Sequence, residues 1–553
     1  MAKEQEHISR SKRQYEGAPI SEVNPKELRL VVGEEDKTGL IYQSSHSTWV
    51  TARHPRWSID GQQQLGHLED NFIACEDSKE VRGQLALMYQ DLTSESDFSQ
   101  LSSNWSIGYG QETEGISTEN GQIVMETGIE LAKGQIEHPH PKQNSPEAVV
   151  IDMARWRLNN PQVLCTSVPI TGSPSEMKLN RDHPDIGAYL NHAQKIVGEY
   201  AHRQREPEAF ELFDSFGADQ KTSAEELFAS DEGLAPWFMN ASHLSIGLPH
   251  IEVNGKLQVP GELAVNLADL LQSELGSVLL WLTASTPLMY GKQPAIQDTN
   301  SNLVIPRDYR LIARHYLPTS GNAQPLRTMS AYHQQTQQAM LQGLTHSLGR
   351  SAYISKDQFG EFALIHGATR IRTEKALEST TKTGRVEATG PSATSNLFDE
   401  YAKASYLTVL YALALESTVR KTPAVDYVSK YLNLASANRF DHKGVNRAFA
   451  LRENARTQTI EHEALQACAY VATRFPALER YATTALNRIA RLTRPVEYGS
   501  VDLHSWLEDE DREGCFGDVV LSHMTAHKRS PEELSLDILE FQQKQAEMIL
   551  ANL

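Results

Sequence analysis

The sequence predicts an α+β protein in which a mostly antiparallel sheet comes first and a helical region follows. Short apolar segments, several with period-two alternation, are separated by polar loops through residues 26–395. From Asn396 onward, apolar residues recur at helical spacing along one segment after another. Residues 1–25 are polar and are expected to form a disordered or loosely attached arm. The chain is therefore divided into an arm, a sheet-containing core at 26–395 with loop and helical insertions, and a helical region at 396–553 packed on that core.

Individual elements follow from alternation, helical periodicity and turn residues. Two of the helices start at Ser-Pro-Glu, a sequence that favours the first turn of a helix. The predicted strands are Leu28–Val32, Val163–Ile170, Ser242–Leu248 and a hairpin of Ala368–Arg372 with Gly384–Ala388. The predicted helices are Pro146–Asn159, Gly261–Ser285, Ala402–Val419, Ala424–Ala435, His462–Arg474, Ala477–Leu492 and Pro531–Leu550.

Charge and cysteine content limit the possible functions. The chain has 553 residues with 52 Lys and Arg and 71 Asp and Glu, a formal net charge of −19. So acidic a chain is a poor candidate for nonspecific binding to nucleic acid or to an anionic membrane. The four cysteines form no CxxC pair, which favours a reducing, cytoplasmic location. The amino terminus lacks the apolar segment of a secretory signal, and no apolar run reaches membrane-spanning length.

Common nucleotide and metal signatures are missing from the sequence. It contains no GxxxxGK[ST], no GxGxxG after a strand and no HExxH. P-loop, Rossmann and zincin sites are therefore not expected. The candidates that remain are carboxylates, histidines and arginines on predicted strands.

The central stretch Ile123–Pro139 carries carboxylates where an apolar strand does not need them. Glu126 and Glu130 are an even number of residues apart and share a strand face. Glu137 is out of phase with Glu130, but a bulge or bend at Lys133-Gly134 would bring the two together. Paired carboxylates in a sheet suggest a bound Mg²⁺ or Mn²⁺. The alternative is a half-exposed strand with solvated glutamates.

Further candidates lie on other predicted strands. The acids of Gly33–Asp36 follow the first strand, where the alternative is a solvated turn. His243 shares a strand face with Ser245, where the alternative is a satisfied histidine within a sheet. Arg370 and Arg372 share a face of the hairpin, where the alternative is a salt-bridged sheet surface.

The order of these segments resembles the glutamate–cysteine ligase family and its bacterial carboxylate–amine ligase relatives, which belong to the glutamine synthetase superfamily. Gly33–Asp36 is similar to the family's opening glycine with acids. The segment Gly128–Pro141, GIELAKGQIEHPHP, looks like its pair of metal-binding strands. Ala241–Gly247 is similar to its His-x-His-Val strand, and Leu282–Pro287 to its Leu-x-Ala-Ser-Ser-Pro segment. Gly384–Glu387 is similar to its Val-Glu-x-Arg strand.

The resemblance spans residues 28–463 in the family's order, with two departures. The family's second histidine is Ser245 here, and the arginine two residues after the strand glutamate is Thr389. Because Thr389 stands at the family's arginine position, other arginines would have to contact the phosphate.

The resemblance implies a curved sheet that forms an open funnel backed by helices, as in the glutamine synthetase-like catalytic fold. It also implies an ATP- and Mg²⁺-dependent ligase of the kind that serves glutathione biosynthesis. Such an enzyme phosphorylates an amino-acid carboxylate, by default glutamate, and joins it to an amine, by default cysteine. The implied metal ligands are Glu35, Glu130, Glu137, His243 and Glu387, with Glu34 and Asp36 as alternatives to the first. The implied catalytic residues are Arg370 and Arg372, and the implied cofactor-binding residues are Gln135, Arg307, Arg310 and Arg385.

Two other functions remain open at this point. A diverged member of the family would act as a phosphotransferase or as a ligase for another amine. A catalytically degenerate member would only bind a nucleotide or serve as a scaffold.

Overall fold

The computed structural model describes a little under half of the chain. The described residues are 78–94, 97–98, 109–113, 116–119, 122–124, 145–159, 163–164, 242–249, 251–253, 256–258, 260–285, 296–297, 303–308, 311, 325–329, 331, 369–372, 385–388, 391–392, 394–496, 503–509, 512–527 and 531–551.

Helices dominate the described residues. They are α1 (Lys79–Leu92), α2 (Pro146–Asn159), α3 (Gly261–Gln272), α4 (Val278–Leu282), α5 (Leu397–Val419), α6 (Ala424–Tyr431), α7 (His442–Ala450), α8 (Asn454–Arg474), α9 (Glu479–Leu492), α10 (Leu503–Glu508), α11 (Phe516–Thr525) and α12 (Pro531–Ala551). Short 3₁₀ turns at Ala435–Asn438 and Pro476–Leu478 follow α6 and precede α9.

The described strands all pair antiparallel. They are β1 (Tyr109–Thr113), β2 (Ile116–Glu119), β3 (Gln122–Val124), β4 (Val163–Leu164), β5 (Ser242–Gly247), β6 (Ile251–Val253), β7 (Lys256–Gln258), β8 (Ile296–Gln297), β9 (Leu303–Val304), β10 (Thr369–Arg372) and β11 (Arg385–Ala388). The largest sheet has the order β1-β5-β11-β10, a second has the order β3-β2-β4, and β6-β7 and β8-β9 form two-stranded ribbons. The open funnel stays a prediction.

Helix α5 is the centre of the packing. Its first turn is capped by Asn396, whose side chain accepts a hydrogen bond from the Phe398 amide at 2.9 Å. Nearly all of its residues are buried, because the helix is apolar around most of its circumference. It packs against α2, α3 and α9. The helix ends at Arg420, where Lys421 adopts a positive φ of 55°.

One face of the four-stranded sheet is apolar and packs on α3, which contacts β10 and β11. Leu244, Ile246, Ile371, Val386 and Ala388 alternate along three neighbouring strands and are all at most 2% exposed. Period-two alternation puts the intervening residues on the other face. The sheet, α3 and α5 therefore form successive layers, and the polar sheet face points away from the apolar core.

The prediction of one helix over Gly261–Ser285 is wrong, because α3 and α4 are separated by a turn. The Ser273 hydroxyl donates to a carbonyl of the preceding turn at 2.7 Å. The Glu274 amide leaves the helix to donate to the carbonyl of Arg439 at 2.8 Å. At Gly276 an added Cβ would overlap the carbonyl oxygens of that preceding turn, so the chain needs glycine there.

Other predicted elements agree with the structure in place and type, although α8 begins eight residues before its predicted start at His462 and α5 begins five residues before its predicted start at Ala402. The helix predicted at Pro146–Asn159 has the same bounds as α2, and the last five predicted helices correspond to α5, α6, α8, α9 and α12. The hairpin strands pair as predicted. Helix α1 was not among the predicted helices.

Several charges are buried within the helical layers. Asp399 is fully buried and accepts from Arg488 Nε at 2.6 Å and from Arg512 Nη2 at 2.8 Å. Burial alone would raise the pKa of Asp399, but the two guanidinium groups lower it below its usual value. Glu400 and Lys403, one turn apart, form a second fully buried ion pair. The Asp399 contacts join α5 to α9 and to the segment before α11, whereas the Glu400–Lys403 pair lies within α5.

A second, smaller apolar cluster lies beyond the main core. Trp506, Phe516, Val519, Ile538 and Phe541 belong to it, so α10, α11 and α12 pack together there. Among the described residues, no helix combines the length and the apolar character needed to cross a membrane.

Candidate functional site

The four-stranded sheet brings together three of the strands that the resemblance singled out. β5 pairs with β11, and β11 pairs with β10. In the register of these pairs, Glu387 lies opposite Ser245 on one side and Arg370 on the other. Residues directly opposite each other in antiparallel strands share a face. Segments that are more than 100 residues apart in sequence therefore meet on one surface.

The same face continues over neighbouring rows of the sheet. Arg372 lies opposite Arg385, which in turn lies opposite Gly247. His243 is two residues from Ser245, so its position is diagonal to Glu387, at a typical spacing of about 7–8 Å. This set of positions, on the side of the sheet away from α3, is called the polar sheet face below.

Glu387 is the acidic residue of the polar sheet face whose side chain is described. Its Oε1 accepts from Arg385 Nε at 2.8 Å and Nη2 at 2.7 Å. The Glu387 side chain is 7% exposed and the Arg385 side chain 23%. A carboxylate this buried needs a cationic or hydrogen-bonding partner to remain ionised. Arg385 is thus the cationic partner of a buried carboxylate at the centre of the polar sheet face.

The edge strand β1 adds one candidate that the sequence pattern did not indicate. Glu112 lies opposite His243, and Gly110 lies opposite Ser245, so both positions belong to the polar sheet face. The segment YGQETEG has little apolar alternation, since most of its residues are polar or glycine. Within this segment of the sequence, only the two-residue spacing of Gly110 and Glu112 indicates that they share a strand face.

The donor types on the polar sheet face suit a hard divalent cation. A buried carboxylate at Glu387 and register positions held by Glu112 and His243 offer oxygen and imidazole ligands of the kind that bind Mg²⁺ or Mn²⁺. Among the residues that the structure describes, no three His, Cys, Asp or Glu side chains converge as a complete metal site. The other predicted ligands would have to come from other parts of the chain.

Those other predicted residues lie outside the described part of the chain. They are Glu34, Glu35, Asp36, Glu130, Gln135, Glu137 and Arg310. The predicted bend at Lys133-Gly134 lies outside it as well, and the pairing of Glu130 with Glu137 stays a prediction.

Asp308 holds the segment that follows β11 in place. It is fully buried, and its Oδ2 accepts from the amide of Ser285 at 2.8 Å and from the hydroxyl of Ser392 at 2.7 Å. Ser285 lies in the predicted Leu282–Pro287 motif, and Ser392 follows the strand that carries Glu387. The Asp308 carboxylate thus links two of the segments on which the family resemblance is based.

Arg307, one of the implied cofactor-binding residues, lies in a buried ion pair. Its Nε lies 3.2 Å from Asp518 Oδ1, and its guanidinium carbon lies 4.8 Å from the centre of the Phe449 ring. Arg452 binds the same Asp518 oxygen at 2.7 Å. Burial alone would raise the pKa of Asp518, but Arg307 and Arg452 hold it below its usual value. The side chain of Arg307 is 4% exposed, so its surroundings give no support to a cofactor-binding role.

Comparisons with known proteins add no family assignment. A scan against protein-family models finds no match for this chain. Searches of curated proteins and of solved structures also find no match. The ligase resemblance therefore depends on the sequence motifs, and the candidate site depends on the register of the sheet.

Proposed function

We propose that the protein is an ATP- and divalent-metal-dependent ligase of the cytoplasm that joins an amino-acid carboxylate to an amine through an acyl phosphate. Glutamate and cysteine are the default substrates. The small-molecule substrates and ATP are its expected partners, and neither nucleic acid nor a membrane is among them.

The observation that supports this proposal is the register of β1, β5, β11 and β10. It puts the positions of His243, Glu387, Arg370 and Arg372 on one face of one sheet. The apolar residues between them fill the opposite face. Carboxylates and imidazole beside arginines are the residue types that phosphoryl transfer requires, because charge on the polyphosphate must be offset as it moves.

Each residue type has a distinct part in the proposed reaction. A bound divalent cation would offset the negative charge of the phosphate oxygens. Arg370 and Arg372 would bind the substrate carboxylate or the phosphates, since a guanidinium matches two oxygens at once. Arg385 would hold the Glu387 carboxylate in place. The proposed metal ligands are Glu35, Glu130, Glu137, His243 and Glu387.

One contact favours a second candidate function. The Arg385 guanidinium already takes both of its described bonds to Oε1 of Glu387. A carboxylate whose charge is already balanced by a guanidinium binds a metal cation less strongly. Together with Ser245 and Thr389 at the family's histidine and arginine positions, this pair supports a nucleotide-binding protein without ligase activity.

The decisive experiment measures ADP formation from ATP and Mg²⁺ with a panel of amino acids, singly and in pairs. A ligase forms ADP only when both a carboxylate substrate and an amine are present, and mass spectrometry then finds an amide. A phosphotransferase forms ADP with one acceptor and gives a phosphorylated product. A binding protein forms no ADP, but calorimetry still detects ATP.

Two variants make the experiment specific to the polar sheet face. Glu387→Gln keeps the shape of the side chain and removes its charge, so turnover should fall by at least about 100-fold. The matched control is Glu540→Gln on α12, whose side chain is 60% exposed and paired with Lys544. Its turnover should remain within about twofold of the wild type, as for ordinary surface substitutions.

A further inference from the structure

A cluster of tyrosines and arginines lies on the surface formed by α1, α6 and the ends of α5 and α8. It is called the Tyr–Arg surface below, and it belongs to no part of the polar sheet face. Its residues are Tyr89, Glu416, Arg420, Lys421, Asp426, Tyr427, Lys430, Tyr431, Tyr470 and Arg474.

One buried carboxylate organises this surface. Glu416 is fully buried, and its Oε1 accepts from Tyr89 at 3.0 Å and from Arg420 Nη2 at 2.8 Å. Its Oε2 accepts from Tyr470 at 2.8 Å. Arg474 donates to the Tyr89 hydroxyl at 2.6 Å from Nη2 and 3.0 Å from Nε. Two arginines and two tyrosines are therefore held in fixed positions around Glu416.

Aromatic rings add a second layer of order. The guanidinium carbon of Arg420 lies 5.3 Å from the centre of the Tyr427 ring, and that of Arg474 lies 5.6 Å from the Tyr89 ring. Tyr431 stacks on Tyr427 with 5.4 Å between ring centres. Because these groups are already ordered, a partner that binds them loses little additional side-chain entropy on their side of the interface.

The surface remains exposed despite these contacts. The side chains of Arg420 and Arg474 are 46% and 44% exposed. Tyr431 is 71% exposed, the largest value among the exposed large apolar residues of the described chain. Tyrosine and arginine are, with tryptophan, the residue types enriched at the energetic centres of protein interfaces.

The charge of this surface is opposite to that of the whole chain. Arg420, Lys421, Lys430 and Arg474 outnumber the carboxylates Glu416 and Asp426, whereas the chain carries a net charge of −19. The Glu416 charge is buried beneath its donors. The surface is therefore a local cationic area on an acidic protein, and it is complementary to carboxylates.

We propose that the Tyr–Arg surface is a docking site for an acidic segment of a partner protein that also carries an aromatic residue. Carboxylates of the segment bind the outer edges of Arg420 and Arg474, and its aromatic side chain stacks on Tyr431. A peptide fits better than a nucleic acid, because a phosphate backbone continuing past this small area would meet the acidic remainder of the protein.

The test uses fluorescence anisotropy of the full chain with a labelled octapeptide of glutamates and phenylalanines. Tyr431→Ser should weaken its binding at least about fivefold, and Arg474→Gln should do the same. The matched control is Arg494→Gln, whose side chain is 53% exposed and paired with Glu513. That variant should bind within about twofold of the wild type. Circular dichroism checks that each variant is folded.

Several results would overturn the proposal. One is a wild-type protein that does not bind the octapeptide at millimolar concentration, and another is binding that Tyr431→Ser leaves unchanged. Because Tyr431 is so exposed, that variant remains informative even if Arg474→Gln fails to fold. Equal binding of an octalysine peptide, or tighter binding of an eight-nucleotide oligothymidylate, would also contradict an acidic peptide partner.

Discussion

Replacing Asp399 by asparagine removes the negative charge between two buried arginines and leaves the shape of the side chain almost unchanged. In the wild type, Arg488 and Arg512 both donate to Asp399 Oδ1. All three side chains are at most 5% exposed. In the variant, the two buried guanidinium groups would lose the carboxylate that both of them contact.

The magnitude follows from the number and type of bonds that are lost. A hydrogen bond to a charged group contributes about 1.5–3 kcal/mol, so two of them contribute about 3–6 kcal/mol. The asparagine oxygen can still accept, and one neutral bond returns about 1 kcal/mol. We expect Asp399→Asn to lower the free energy of unfolding by about 2–5 kcal/mol, which overlaps the usual range of about 3–5 kcal/mol for removing one partner of a buried ion pair.

Urea unfolding followed by tryptophan fluorescence measures this change. Trp506 is a local reporter, since its ring centre lies 5.8 Å from the Arg488 guanidinium carbon and 5.6 Å from that of Arg512. Glu513→Gln is the matched control, because it removes an exposed carboxylate next to Arg512 in sequence and should change stability by less than about 1 kcal/mol. A loss in Asp399→Asn no larger than the loss in this control would refute the reasoning.

Three other predictions concern pH dependence, packing and ligand binding. Burial raises the pKa of Asp269 to about 6, against the lowering effect of its backbone donors. The folded state therefore favours the protonated carboxyl. Its contribution to stability is complete below the ordinary aspartate pKa and is lost as pH rises through about 6. Asp269→Asn should make the melting temperature less dependent on pH between about pH 4 and 6. Gly517→Ala should destabilise by about 1–3 kcal/mol in urea unfolding, because its Cβ would overlap the carbonyl oxygen of Arg307, whereas Gly83→Ala, with open space around it, should be neutral or stabilising. Arg372→Ala should weaken the binding of ATP or glutamate in calorimetry without lowering the melting temperature; lost stability with unchanged affinity would indicate a structural role instead.

Local patterns in the sequence were sufficient for several of the longer helices and for the hairpin. The Ser-Pro-Glu start at Ser145 gave the bounds of α2, and helical periodicity gave most of α5 and α8. In β5, the alternation that puts His243 and Ser245 on one face leaves Leu244 and Ile246 on the other, and both of these lie in the core. These features depend on residues close together in the chain.

Features that depend on distant contacts were not predictable in this way. The break after α3 is stabilised by the Glu274 amide bonding to Arg439, a residue far along the chain. The burial of Arg307 against Asp518 has the same origin, and so does the pairing of Glu112 with His243 across two strands. Such contacts have no periodic signal, because neither partner is near the other in sequence.

The most direct test of the polar sheet face is ATP binding measured by titration calorimetry, in Mg²⁺ and in EDTA, for the wild type and for Glu387→Gln. The predicted result is binding by the wild type that requires Mg²⁺ and is weakened at least about tenfold in the variant. Equal ATP affinity in Mg²⁺ and EDTA, or an affinity that Glu387→Gln leaves unchanged, would contradict a metal-dependent nucleotide site on this face.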